Sequence, residues 1–303
     1  MIETSLQKLP HGIRLACRTA GRAGRPVLMF LHGFPEAAFV WDAVLEHFAR
    51  PENGGFRCIA PNLRGYENSS APTEVAAYRP KHLVQDIAAL VALETGQLEC
   101  LVAHDWGGAI AWNLAASQPG LLKKLAIINA PHPGTFLRDL QHLPAQQAAS
   151  AYMNFLIRPD AEVLLAANDY QRLWRFFTDI GSLDGAQPWL TDSIKARYRE
   201  VWQHGLTGPL NYYRASPLRP PRPGPPHHDP AAAAVTIPRE MLEVHLPTLV
   251  IWAMGDIALP PTLLAGLPDY VPQMELHRVE GATHWILHEQ PQLVTRLLQQ
   301  FLA

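Results

Sequence analysis

Of the 303 residues, 48% are hydrophobic and 17% charged, and 25 basic side chains against 27 acidic ones leave a formal net charge of −2. That composition excludes a disordered chain, and its balanced charge points to neither a nucleic acid nor a membrane surface as partner. No apolar run approaches the roughly 18 residues that span a bilayer. The stretch Met1 to Thr4 carries an acid and no apolar leader, and Cys17, Cys58 and Cys100 are odd in number and scattered, as free thiols are. The expectation is a cytoplasmic globular protein.

The first predicted strand is Pro26 to Leu31, a continuous apolar run ended by His32-Gly33, as in a strand buried on both faces. Arg57 to Ala60 is a shorter one. Gln85 to Thr95 repeats apolar residues at helical spacing, Leu98 to Ala103 reads as a strand, Ala109 to Ser117 as a helix, and Lys124 to Asn129 as the next strand. This alternation predicts a mostly parallel sheet covered by helices. It breaks after Pro131-His132-Pro133-Gly134. From there to about Val244 no strand is legible, and Pro144 to Leu156 and Ala161 to Phe177 carry apolar residues at three-to-four spacing. Pro217 to Pro238 holds eight prolines and reads as a wrapping loop. Strands resume at Pro247 to Ala253 and Met274 to Val279, followed by a closing helix from Pro291 to Leu302. The predicted architecture is one α/β domain, 1–133 and 245–303, with eight strands and a helical cap, 134–244, inserted into it.

The strand at 98–103 runs into Ala103-His104-Asp105-Trp106-Gly107-Gly108 and then a helix. This is the layout of a nucleophile elbow, whose tight turn requires small flanking residues and raises the central side chain above the sheet. Here that residue is Asp105. A carboxylate is ionised at neutral pH and needs no base to act as a nucleophile, and displacement at a saturated carbon would leave it as an alkyl ester. The same residue could serve as an N-cap alone; the strand before it and its partners elsewhere favour the nucleophile.

His32-Gly33-Phe34-Pro35 ends the first strand, and the backbone N–H groups of Phe34 and Trp106 are the expected oxyanion hole. His284 follows the last predicted strand, where the chain order nucleophile, acid, histidine puts the base. Asp256 ends the strand at 247–253 and is the expected acid, orienting the imidazole. The alternative place for an acid, after the strand at 124–129, holds Asn129, which lacks the charge. His288 lies nearer the terminal helix than His284, and the adjacent His227-His228-Asp229 reads as solvated loop rather than a metal site.

Taken together, HGFPE at 32–36, RGYENSS at 64–70, HDWGG at 104–108, PHP at 131–133, NYYR at 211–214, Gly255-Asp256 and THW at 283–285 resemble, in family order, the epoxide hydrolases of the α/β-hydrolase fold. The resemblance implies hydrolysis of an apolar epoxide by water to a vicinal diol through an aspartyl ester, with no cofactor and no metal. It also implies two cap tyrosines that donate to the ring oxygen. Tyr213 matches one of them in the NYYR motif. For the other, the family position falls on Ala151, with Tyr152 one residue later, about 100° away on a helix. Either a local shift brings Tyr152 into place or the site has one tyrosine. A haloalkane dehalogenase would use the same Asp, but Phe34 lacks the second halide donor. A non-catalytic binding protein of this fold would have no need of an intact nucleophile, acid and histidine.

Overall fold

A computed structural model describes residues 1–179, 187–222 and 230–303. Its centre is an eight-stranded sheet of β1 (Glu3–Lys8), β2 (Arg14–Ala20), β3 (Val27–Leu31), β4 (Arg57–Pro61), β5 (Leu98–His104), β6 (Leu122–Ile128), β7 (Thr248–Ala253) and β8 (Met274–Val279). The strands lie side by side in the order β1-β2-β4-β3-β5-β6-β7-β8. From β4 to β8 every neighbouring pair is parallel, while β1 pairs antiparallel to β2 and β2 antiparallel to β4. Those two edge strands are absent from the predicted elements because neither has an apolar run. β1 is exposed at every residue but Gln7, and β2 alternates between buried and accessible positions.

Parallel neighbours need long crossovers, and helices supply them. They are α1 (Asp42–Ala49), α2 (Pro80–Glu94), α3 (Asp105–Ser117), α4 (Pro133–His142), α5 (Pro144–Ala149), α6 (Tyr152–Leu156), α7 (Ala161–Thr178), α8 (Asp192–Gln203), α9 (Thr207–Ala215), α10 (Ile286–Glu289) and α11 (Pro291–Leu302). Alternate strand residues point to opposite faces, so the sheet has two cores. Leu28, Phe30, Val102, Ile128 and Ile251 pack with α1 and α11; Met29, Leu31, Leu101, Ile127 and Trp252 pack with α2 and α3. Each such fully buried side chain contributes on the order of 1.5–3 kcal/mol.

Between β6 and β7 the described residues form only helices and short 3-10 turns. α7 is not continuous. Its chain breaks at 167–170, where Asn168, Asp169 and Tyr170 take φ values of 52, 54 and 59°. The periodicity of Ala161 to Phe177 did not reveal this break, because apolar residues on both sides still face the same core. Of the proline-rich stretch, 223–229 lies outside the described residues, and with it His227, His228 and Asp229. No helix is long and apolar enough to cross a membrane among the described residues. Parallel strands place their carboxyl ends on one side, and the loops after β3, β5, β6, β7 and β8 gather there, as ligand-binding loops do in open α/β sheets.

Candidate active site

β5 ends at His104 and α3 starts at Asp105, whose φ of 49° lies in the left-handed region. A non-glycine residue there is strained, and such strain persists only where the surroundings hold it. They do so by close packing. A Cβ on Gly107 would stand 2.6 Å from the carbonyl oxygens of Leu31 and His32, and one on Gly108 would stand 2.1 Å from the Ala130 Cβ. The start of α3 is thus wedged between the ends of β3 and β6. Gly33 has a different constraint: its Cβ would lie 2.2 Å from Asp105 Oδ1. The absence of that Cβ lets the loop after β3 lie against the carboxylate.

From that loop the Phe34 N–H, preceding a cis Phe34-Pro35 bond, donates to Asp105 Oδ1 at 2.7 Å. Trp106 lies in the first turn of α3, where amides lack intrahelical acceptors. His284 Nε2 stands 3.7 Å from Asp105 Oδ2, and its Nδ1 is 2.7 Å from Asp256 Oδ2. Asp256 is fully enclosed by donors. Oδ1 accepts from the Ala258 and Leu259 amides at 3.0 and 2.9 Å, and Oδ2 also accepts from Asn129 Nδ2 at 2.9 Å. Asn129 in turn accepts the Ala253 N–H at 2.9 Å. The position after β6 therefore contributes to the site after all, as a clamp on the acid rather than as the acid. Burial would lower the His284 imidazole, but Asp256, then Asp105 and Glu36, outweigh it and raise it to about 9.

Behind His284 lies a buried cluster that the motifs did not disclose. His104 Nε2 donates to the His284 carbonyl oxygen at 3.0 Å, and its Nδ1 approaches Glu36 Oε2 to 3.4 Å. Glu36 Oε1 accepts from the Tyr198 hydroxyl of α8 at 2.7 Å and meets His288 Nε2 at 2.6 Å. Burial raises the Glu36 carboxyl, yet His288 and His104 overcome this and hold it well below its ordinary value. The legible signal was that Glu36 closes the HGFPE motif and His104 opens HDWGG, although nothing in the motifs paired them. His288 pairs with Glu36.

Tyr152 and Tyr213 both line a cavity of about 100 Å³ with Asp105 and Trp106. Their rings are 6.3 Å apart, and Tyr213 packs edge-on against Trp106 and Phe34 at 5.1 and 5.3 Å. Ala151, at the family position, is exposed. α5 ends at Ala149 and α6 starts at Tyr152, so no continuous helix carries a phase across the gap, and the one-residue offset does not rotate Tyr152 away. Burial pushes both phenols well above their ordinary value, reinforced at Tyr152 by Asp105 and at Tyr213 by Tyr152 and Asp105. Both are therefore protonated donors at neutral pH. The rest of the cavity is mainly apolar, with Phe136, Met153, Leu218 and Leu259 on its walls beside Asn113 and Ser216. A polar cleft of about 530 Å³ beside β2 contains Arg18 and Arg197, already paired with Asp42 and Glu67, and none of this chemistry. Among the described residues, no group of three or more His, Cys, Asp or Glu is placed to hold a metal ion.

Comparison with known proteins agrees with this geometry. Residues 26–291 match the family of the alpha/beta hydrolase fold. AB hydrolase superfamily protein YfhM of Bacillus subtilis is 34% identical over 96% of this chain and 95% of its own. Epoxide hydrolase 4 of Mus musculus is 31% identical over 96% and 77%. Among solved structures, an epoxide hydrolase from metagenomes of hot environments superimposes with a TM-score of 0.86 at 37% identity, covering 100% of this chain and 99% of that one. A mutant epoxide hydrolase of Bacillus megaterium, complexed with its product, gives 0.86 at 28%, covering 98% and 99%. With a family match over most of its length and relatives above 30% identity, this chain belongs to the epoxide hydrolases of the α/β-hydrolase fold.

Proposed function

We propose that this hydrolase converts an apolar epoxide and water to a vicinal diol through a covalent ester on Asp105. The observation that carries the reading is the asymmetry of the Asp105 carboxylate. Oδ1 is held by the Phe34 amide, Oδ2 accepts no hydrogen bond from it and lies 3.7 Å from His284 Nε2, and the residue lines the cavity shared with Tyr152 and Tyr213. In the first step Oδ2 attacks a ring carbon, the C–O bond breaks, and a tyrosine hydroxyl gives its proton to the departing oxygen. In the second, His284 takes a proton from water, whose oxygen adds to the ester carbonyl carbon. The resulting oxyanion on Oδ1 receives hydrogen bonds from the Phe34 and Trp106 amides. Collapse expels the former Oδ2 as a diol oxygen, which takes the remaining proton of the added water as the carboxylate re-forms with solvent oxygen in its place, and the imidazolium returns its proton to the tyrosinate.

Asp256 keeps the imidazole oriented and stabilises the imidazolium formed on proton transfer. The helical segment 134–244 acts as a cap that closes the cavity over the 1–133 and 245–303 core, bringing both tyrosines to the carboxylate. The apolar walls suit an aryl or alkyl epoxide; the product bound by the Bacillus megaterium relative is (R)-3-[1]naphthyloxy-propane-1,2-diol. Haloalkane dehalogenation is disfavoured because Phe34 packs its ring on Phe176 and Tyr213 and has no side-chain donor for a halide. A single turnover of styrene oxide in ¹⁸O-water, with enzyme in excess, tests the reading. It should give unlabelled diol and label in the peptide containing Asp105. Label in the first diol with none in Asp105 would rule out the ester.

A further inference from the structure

α9 carries Tyr213 and meets the segment between β4 and α2 through main chain rather than side chains. Gly208, the second residue of α9, lies against Gly65. A Cβ on Gly208 would stand 2.5 Å from Gly65 Cα and 2.6 Å from its carbonyl oxygen, and one on Gly65 would stand 2.8 Å from Gly208 Cα. No side chain fits between them, so the two backbones touch. Gly65 also takes a φ of 90°, which other residues rarely adopt. Gly208 lies in helix, which disfavours glycine, so its lack of a side chain serves the approach alone. Two hydrogen bonds hold α9 on this seat. The Tyr212 hydroxyl donates to the Arg64 carbonyl oxygen at 2.9 Å, and Asn211 Nδ2 donates to the Thr73 carbonyl oxygen at 3.2 Å. Arg64 is anchored in turn. Its guanidinium forks onto Asp86 at 2.6 and 2.8 Å and donates to the Ala77 carbonyl oxygen at 2.7 Å, with both charged residues buried. A two-pronged pair of this kind fixes geometry as well as charge.

We propose that Gly65, Gly208 and Tyr212, with Arg64 as their anchor, are positioning residues for ring opening: they set how deeply α9 sits and so where the Tyr213 hydroxyl stands relative to Asp105. The inference rests on the epoxide reading and on Tyr213 as a proton donor. A proton passes to the departing oxygen only over hydrogen-bond distance, and a displacement of about 1 Å at a reacting group costs on the order of a hundredfold in rate. Tyr212 does not line the cavity at Asp105, whereas its neighbour Tyr213 does. Its hydroxyl therefore acts on the site through the placement of the helix. The rest of the machinery does not ride on α9. Asp105 follows β5, Asp256 follows β7 and His284 follows β8. Lifting α9 off its seat thus moves the proton donor and leaves the nucleophile, the acid and the base where they are. The seat governs the first chemical step and not the second.

The test uses Gly208→Ala, which inserts one methyl group between the two backbones, and Tyr212→Phe, which removes one hydroxyl. Single turnovers of styrene oxide measure the rate of Asp105 alkylation and the rate at which the ester then decays. Alkylation should fall by about tenfold in Tyr212→Phe and by up to about a hundredfold in Gly208→Ala. Ester hydrolysis should keep its native rate in both, which also reports that the protein is folded. Added to Tyr213→Phe, neither substitution should slow alkylation further, because the group they position is already gone. If Gly208→Ala does not fold, Tyr212→Phe decides alone. Unchanged alkylation, equal losses in both steps, or a loss that adds in full to that of Tyr213→Phe would overturn the assignment while leaving the epoxide reading intact. A native enzyme that forms no ester at Asp105 would remove both.

Discussion

His284 Nε2 stands 3.7 Å from Asp105 Oδ2, while the other side of the same ring is 2.7 Å from Asp256. The imidazole is thus bonded to Asp256 and only near Asp105, which is the nucleophile in the proposed mechanism. That spacing leaves the Oδ2 lone pairs available for attack and keeps the base beside the carbon that must later be hydrolysed. Replacing His284 by Ala should therefore separate the two steps. Alkylation continues, hydrolysis stops, and intact-protein mass spectrometry after exposure to styrene oxide finds one adduct, mapped to Asp105. An unmodified protein that still consumes no epoxide would count against the assigned roles.

Asp256→Asn should cost roughly 10⁴-fold in turnover, as loss of the orienting charge does in comparable triads. The environment makes the change severe. Oδ1 of Asp256 accepts from two backbone amides that cannot become acceptors, so an asparagine would place its NH₂ at the Oδ2 position, where it faces Asn129 Nδ2 and turns the His284 imidazole to the other tautomer. Asn129→Ala is the milder companion. It leaves the buried Ala253 amide without its acceptor, at a cost of about 1–3 kcal/mol, and loosens Asp256 from one side. Single-turnover rates should show hydrolysis slowed more than alkylation in both variants.

Tyr213→Phe should slow ring opening by roughly 10²–10⁴-fold if Tyr213 is the main proton donor. Tyr152 shares the same cavity, so where it substitutes for Tyr213 each single variant keeps activity and the double variant loses it. The measurement is the rate of Asp105 alkylation under single-turnover conditions. An unchanged rate in the double variant would remove both residues from the mechanism.

The raised His284 value, about 9 against an ordinary 6.5, sets two pH dependences. Protonation favours the folded state, so its contribution to stability is fully present below pH 6.5 and is lost as the pH rises through 9. The melting temperature should fall across that window in the native protein, and the same fall should be missing from His284→Ala. Catalysis responds in the opposite sense. Converting Asp105 to a neutral ester removes one of the charges that raise His284, so its value in the alkyl-enzyme drops and the free base forms more readily. The rate of ester hydrolysis should rise with pH, with its midpoint below 9. A midpoint at 9 would show that Asp105 does not influence the base.

Glu36 binds the buried side of the site to the cap through Tyr198 and to α10 through His288. Glu36→Leu should destabilise the protein by about 3–5 kcal/mol, since it removes the buried carboxylate that Tyr198, His288 and His104 meet and leaves those groups unsatisfied. Glu36→Gln, which keeps the shape and some hydrogen bonds, should cost less. Because Glu36 accepts at a carboxyl held well below its ordinary value, its contribution is present above about pH 4.5 and is lost as the pH falls further. Chemical unfolding of the native and variant proteins at neutral and acidic pH would measure both effects.

What the sequence determined by itself is whatever depends on neighbours along the chain. The elbow is one contiguous strand, turn and helix, so its small residues name the turn and put its central aspartate forward as the proposed nucleophile. The HGFP loop and the helix-only stretch between two groups of strands are local in the same sense. The tertiary structure alone decided the rest. Asn129 reaches Asp256 across 127 residues, Tyr198 reaches Glu36 across 162, and His288 reaches Glu36 across 252. No periodicity encodes such pairs, because each side chain is chosen by what the fold brings opposite it. The break between α5 and α6 that frees Tyr152 from the phase of a continuous helix belongs to the same class. So does the β1–β2 edge, whose exposed residues carry no apolar pattern and whose place is set by backbone pairing to β4.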